Sequence, residues 1–163
     1  NIMNIISNIF RKFIISNFNN NNNYNKKLGN IRFKNSKNKK RSKRGQKRFR
    51  DKLIERYYKC PIDNLDYTLC EACHIVPYSV SKENQKFDVF NGILLTPTLH
   101  RIYDKNYFKI DENSCRVQII EENIINDNIS ICDIKRLVKN GKYIPELDNP
   151  KSKEYLKIRN NNM

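Results

Sequence analysis

Apolar residues first fall at helical spacing at Phe49, Leu53, Ile54 and Tyr57, with charges between them. That spacing predicts a helix of about three turns starting near Gln46. The pattern then shortens. Residues 69–77 read as a strand ended by Pro77, residues 79–88 as a polar loop, and residues 90–95 as a second strand. Thr96 is suited to an N-cap and Pro97 to the first helical position, so a helix is expected over residues 97–106. Residues 107–110 and 115–120 flank Asp111-Glu112-Asn113-Ser114 and predict a hairpin. A short helix capped by Ser130 or Asp133 is expected over residues 129–138, stopping near Gly141, and a last helix over residues 150–159. Upstream, residues 19–44 are Asn, Lys, Arg and Ser with few apolar positions. They bury too little surface to offset their ordering entropy, so disorder without a partner is expected. The fold class is α+β: a strand–loop–strand–helix core with flanking helices and a C-terminal hairpin. One domain is expected over residues 45–159, behind an N-terminal arm of residues 1–44.

Charge sharpens that division. Lys and Arg number 32 against 17 Asp and Glu, a net charge of +15 in 163 residues. The first 50 residues carry 15 basic and no acidic residue, so the remaining 113 hold 17 of each. An acid-free arm on a neutral domain is an electrostatic footprint for a polyanion, nucleic acid above all. Lys39, Lys40, Arg41, Lys43 and Arg44 are its densest cluster, readable either as phosphate contacts or as a nuclear-localisation signal. Residues 1–18 mix Ile and Phe with Arg11 and Lys12, readable as an organelle-targeting segment or as an apolar patch in a tail. No uninterrupted apolar run approaches a membrane span, so no membrane partner is expected. The five cysteines are odd in number and not spaced as a disulfide framework, which points to an intracellular, thiol-reducing setting. Cys60, Cys70 and Cys73 would make a structural zinc only with a distant fourth ligand, Cys115 or Cys132. Strand alternation also turns Cys70 and Cys73 to opposite faces, so packed thiols are the simpler reading.

The two histidines of the chain, His74 and His100, flank Asn91. His74 lies near the end of the first predicted strand, Asn91 opens the second, and His100 falls in the first turn or so of the helix. Asp104 follows His100 by four residues, which places both on one helix face. An imidazole and a carboxylate there suit one divalent cation, Mg, Mn, Ni or Zn. Imidazole titrates near neutral pH, so His74 is a candidate general base, with the Asn91 amide fixing the loop that orients it. Arg101 is a candidate phosphate contact.

These residues sit in a longer pattern. Gly45-Gln46 with Phe49-Arg50, Cys60-Pro61-Ile62, Glu71-Ala72-Cys73-His74-Ile75-Val76-Pro77, Asn91-Gly92-Ile93-Leu94-Leu95, Leu99-His100-Arg101-Ile102-Tyr103-Asp104 and Phe108-Lys109-Ile110-Asp111 follow one another in order, with Pro145 and Tyr155-Leu156 behind. Together they resemble an HNH endonuclease of the ββα-metal fold, over roughly residues 45–159. The resemblance implies that His74 is the general base, that Asn91 organises the site, and that His100 binds the metal with Asp104 completing or supporting it. Many members carry Asp or His just before the base, where Cys73 stands here; the branch it most resembles often has Ala. The activity implied is metal-dependent hydrolysis of phosphodiester bonds in DNA, with RNA as the other nucleic-acid substrate. The competing expectation is a catalytically inactive HNH-fold protein built into a ribonucleoprotein, such as an organellar ribosome. Nuclear, virus-associated and mitochondrial settings are all compatible with the sequence.

Overall fold

A computed structural model of the protein describes residues 42–163. Lys39, Lys40 and Arg41, and the expectations made for residues 1–41, lie outside the described residues. Helix α1 spans Lys43–Tyr57, with the Ser42 side chain accepting from the Gly45 N–H at 3.2 Å. It therefore starts three residues before Gln46. Lys43 and Arg44, grouped with the unstructured arm above, are exposed residues of its first turn. The Ser42 cap supplies the order that composition alone did not suggest.

The central unit is two strands and a helix. Strand β1, Glu71–His74, pairs antiparallel with β2, Gly92–Leu95, in the register Glu71↔Leu95, Cys73↔Ile93 and His74↔Gly92. Both strands are shorter than expected, and Asn91 closes a 3-10 turn, Val89–Asn91, rather than opening β2. Helix α2 spans Pro97–Asp104. Thr96 holds the N-cap position without a side-chain capping bond, and its hydroxyl donates to Asp63 Oδ2 at 3.0 Å. Pro97 takes the first helical position, where an N–H would have had no partner within the helix.

Helix α1 lies on this unit through Phe49, Leu53 and Tyr57, all buried, and the Tyr57 hydroxyl donates to the Gly92 carbonyl at 3.1 Å. A Cβ at Gly92 would stand 2.6 Å from the Phe49 ring and 2.8 Å from Leu53. The missing side chain is what lets the helix approach the strand. The core continues through Ile75, Ile93, Leu94, Leu95, Leu99 and Tyr103.

The predicted hairpin forms as β3, Phe108–Ile110, with β4, Val117–Ile119. Asp111 closes its turn by accepting from the Ser114 N–H at 2.7 Å. Helix α3, Glu121–Asn126, was not anticipated; its N-cap is Ile120, which offers no side-chain acceptor. Helix α4 covers Ile131–Leu137 behind a Ser130 cap, and α5 covers Pro150–Asn160 behind an Asn149 cap. Three arginines tie the outer helices to the centre. Arg50 donates to the Cys70 and Tyr67 carbonyls. Arg56 donates to the carbonyls of Val89 and Glu146. Arg159, almost fully buried, donates to the Ile75 carbonyl at 3.0 Å and the Tyr103 carbonyl at 2.6 Å.

Candidate active site

The loop between β1 and β2 is held from inside by Asn91, which has no exposed surface. Its Oδ1 accepts from the Val76 N–H at 2.8 Å, and its Nδ2 donates to the Gln85 carbonyl at 3.1 Å and Ser81 Oγ at 3.3 Å. Both ends of the loop are thus fixed to one amide. The same loop brings the Lys86 carbonyl to 2.8 Å from His74 Nε2. A carbonyl only accepts, so Nε2 carries the hydrogen and the basic lone pair of the neutral ring is on Nδ1. The His74 ring is stacked on Phe49, with centroids 4.4 Å apart and planes at 16°, and meets the edge of Tyr78 at 5.6 Å.

His100 sits between two carboxylates. Its Nδ1 lies 2.9 Å from Glu71 Oε2, across from the first residue of β1. Its Nε2 faces Asp104 Oδ2 at 3.4 Å, so each ring nitrogen stands before a carboxylate oxygen. A half-exposed pair such as His100–Glu71 contributes no more than about 1 kcal/mol to stability. Its larger effect is to fix the orientation of the ring, as carboxylates do behind metal-binding imidazoles.

The donor set fits a cation. A lone pair and a carboxylate oxygen that face each other repel unless a proton or metal ion lies between them. Two ligands about 2.0–2.2 Å from one metal at a tetrahedral angle are about 3.4 Å apart, the separation observed here. Cys73 is fully buried, and its Sγ completes a trio with His100 and Asp104 whose ligand atoms lie within 4.8 Å of one another. Burial pushes the Cys73 thiol well above its ordinary range, and the nearby Asp104 charge pushes in the same direction while Arg159 opposes it. Cys60 and Cys70 are buried but are not members of this trio.

Two hollows meet at Asp104. One, of about 380 Å³, is lined by Glu71, Pro97, His100, Arg101, Asp104 and Lys105. The other, of about 780 Å³, runs between the 77–85 loop and α5 and includes Val76, Gln85, Asp104 and Arg159. Arg101 is exposed on the wall of the first, beside Lys105. Lys43 and Arg44 line neither hollow.

The structure therefore brings His100 and Asp104 together, adds Cys73 to them, and puts His74 next to Cys73 in β1. Asn91 is behind the loop rather than in the hollows. Two participants went unnoticed in the sequence. Glu71 had a signal, because it shares strand parity with Cys73 and so faces the same way. The Lys86 carbonyl had none, because a backbone acceptor carries no side-chain signature.

The centre of the fold is thus an antiparallel strand pair packed on a helix, with one histidine on a strand and an imidazole–carboxylate pair on the helix, an α+β arrangement that could hold a metal ion. Residues 60–111 match the family model described as HNH endonuclease, a match that suggests a nuclease-type, nucleic-acid-related role for the central part of the chain. No curated protein matches the chain. Helix α1 and the Arg159 clamp lie outside the matched residues.

Proposed function

We propose that the protein is a metal-dependent endonuclease that hydrolyses DNA phosphodiester bonds, with His74 as general base. The observation that carries this reading is the anchoring of both imidazoles, with His100 beside the Asp104 carboxylate. The Lys86 carbonyl accepts from Nε2–H of His74 and Glu71 meets Nδ1 of His100, so each imidazole is oriented by an oxygen held in place by the fold. His74 Nδ1 would take a proton from water as the water oxygen bonds to phosphorus and the P–O3′ bond breaks. The Lys86 carbonyl then steadies the imidazolium through Nε2–H, and stacking on Phe49 keeps the ring from turning. Asn91 acts through the loop and is a positioning residue. His100 and Asp104 would hold the divalent ion, which when bound stabilises charge on the phosphoryl and leaving oxygens. Arg101 and Lys105 face the same hollow and would hold the phosphate. No helix among the described residues is long and apolar enough to cross a membrane.

The test is plasmid cleavage with Mg²⁺, Mn²⁺, Ni²⁺ or Zn²⁺. Wild-type protein should nick the plasmid, and His74→Ala should lower the rate by about 10²–10⁴-fold, the usual contribution of a general base. Equal rates for both would sink the assignment. Wild-type protein that cuts nothing with any metal, yet binds RNA tightly, would favour the ribonucleoprotein reading.

A further inference from the structure

We propose that Cys73 is a thiolate ligand of the metal centre, making it a Cys–His–Asp site that selects thiophilic cations such as Zn²⁺ over Mg²⁺. This rests on the reading of His100 and Asp104 as metal ligands and goes beyond it in naming the third donor and the cation it favours. Glu71 and Cys73 lie two residues apart in β1, so their side chains leave the same side of the strand. Glu71 reaches Nδ1 of His100 there. The Cys73 sulfur is accordingly on the α2 side of the sheet, within 4.8 Å of both the His100 and the Asp104 donor atoms. The one hydrogen bond from its Sγ is a 3.6 Å contact to the carbonyl of the next residue, His74. That contact is long and easily given up.

Metal–sulfur bonds of about 2.3 Å and metal–nitrogen bonds of about 2.0–2.1 Å put tetrahedral S and N donors roughly 3.6 Å apart. The observed spread closes to that value with about an ångström of movement, which exposed Asp104 and half-exposed His100 can supply. Binding sends the Cys73 thiol proton to water and the sulfur lone pair to the metal. Three protein donors leave a fourth tetrahedral position for water or phosphate, the form of a catalytic rather than a structural zinc. A soft sulfur donor disfavours Mg²⁺, which takes oxygen ligands in an octahedron. The three other buried thiols, Cys60, Cys70 and Cys115, have no such partners in the trio.

Cobalt substitution of the full-length protein tests this without reference to activity. One equivalent of Co²⁺ should give visible ligand-field bands together with a near-ultraviolet sulfur-to-cobalt charge-transfer band. Excess Mg²⁺ should leave both unchanged. Cys73→Ala should keep the visible bands, lose the near-ultraviolet band, and bind Zn²⁺ at least about tenfold more weakly. Visible bands without charge transfer in wild-type protein would overturn the thiolate while leaving the His100–Asp104 centre standing. No Co²⁺ or Zn²⁺ binding at all would overturn the centre itself. Charge transfer that survives both Cys73→Ala and His100→Ala would put the metal on other thiols and also overturn the inference. If Cys73→Ala fails to fold, X-ray absorption on the wild-type zinc protein decides: one sulfur neighbour at about 2.3 Å is expected, and nitrogen and oxygen neighbours alone would refute it.

Discussion

Glu71 and the Lys86 carbonyl do the same work on two different rings, each holding one ring nitrogen and so fixing how the imidazole is turned. Replacing Glu71 with Gln keeps a hydrogen-bond acceptor but removes the charge behind His100. Metal affinity should fall by about 10–100-fold, read by calorimetric titration with Zn²⁺, while thermal unfolding of the metal-free protein barely moves. Asn91 is the reverse case, since its amide is buried and every partner it has is in the loop or at the loop's edge. Asn91→Ala leaves the Val76 N–H and the Gln85 carbonyl without that partner and should cost about 1–3 kcal/mol per unsatisfied group, measured by urea unfolding. Activity should fall with it, because the Lys86 carbonyl loses its support. The pairing of His100 with Asp104 was legible at this scale because spacing in a helix maps directly onto a face. Cys73 was legible only as an oddity at a ligand position, because distance to a helix across the sheet is not a sequence property.

Between elements, the seat of α1 on β2 depends on an absent methyl group. Gly92→Ala would push its Cβ into Phe49 and Leu53, at a cost of about 1–3 kcal/mol for overpacking. Urea unfolding measures it. The register partner of Gly92 is His74, so the same change should disturb the His74 ring and lower cleavage more than stability alone accounts for. The 3-10 turn before β2 is held to α5 by Asp88. Partial burial pushes its carboxyl up, but hydrogen bonds from Lys151, the Phe90 N–H and the Tyr155 hydroxyl prevail and hold it below its ordinary value of 3.8. A lowered folded-state value means this contribution is complete above the unfolded value and is lost as pH falls through the folded one. Stability should therefore drop below about pH 4, and Asp88→Asn should flatten that drop in acid-unfolding curves. Periodicity and caps revealed α1, α2, α4, α5 and the hairpin. Helix α3 escaped because Ile120 gives no capping signal and only Ile124 of its residues is buried, so neither a stripe nor a boundary stood out.

For the molecule as a whole, charge and chemistry occupy different parts of the chain. Ten basic residues and no acidic one lie in residues 1–41. We propose the boundary just before Ser42, which keeps the α1 cap. Deleting residues 1–41 should leave unfolding by circular dichroism unchanged. It should flatten the dependence of log K on log salt by about 0.9 for each lost phosphate contact, measured by DNA binding at several salt concentrations. An unfolded truncation would show that the arm is structural.

Arg159 gives the domain a direction in time. Its guanidinium bridges the carbonyl beside the His74 strand end to the carbonyl beside Asp104, and 84 residues separate it from Ile75. At translation rates of roughly 5–20 residues per second, about 4–17 s pass between synthesis of Ile75 and synthesis of Arg159. During that interval the strand bearing one histidine and the helix bearing the other lack their brace. Under the function proposed above, a nascent or prematurely stopped chain would therefore be a poor nuclease.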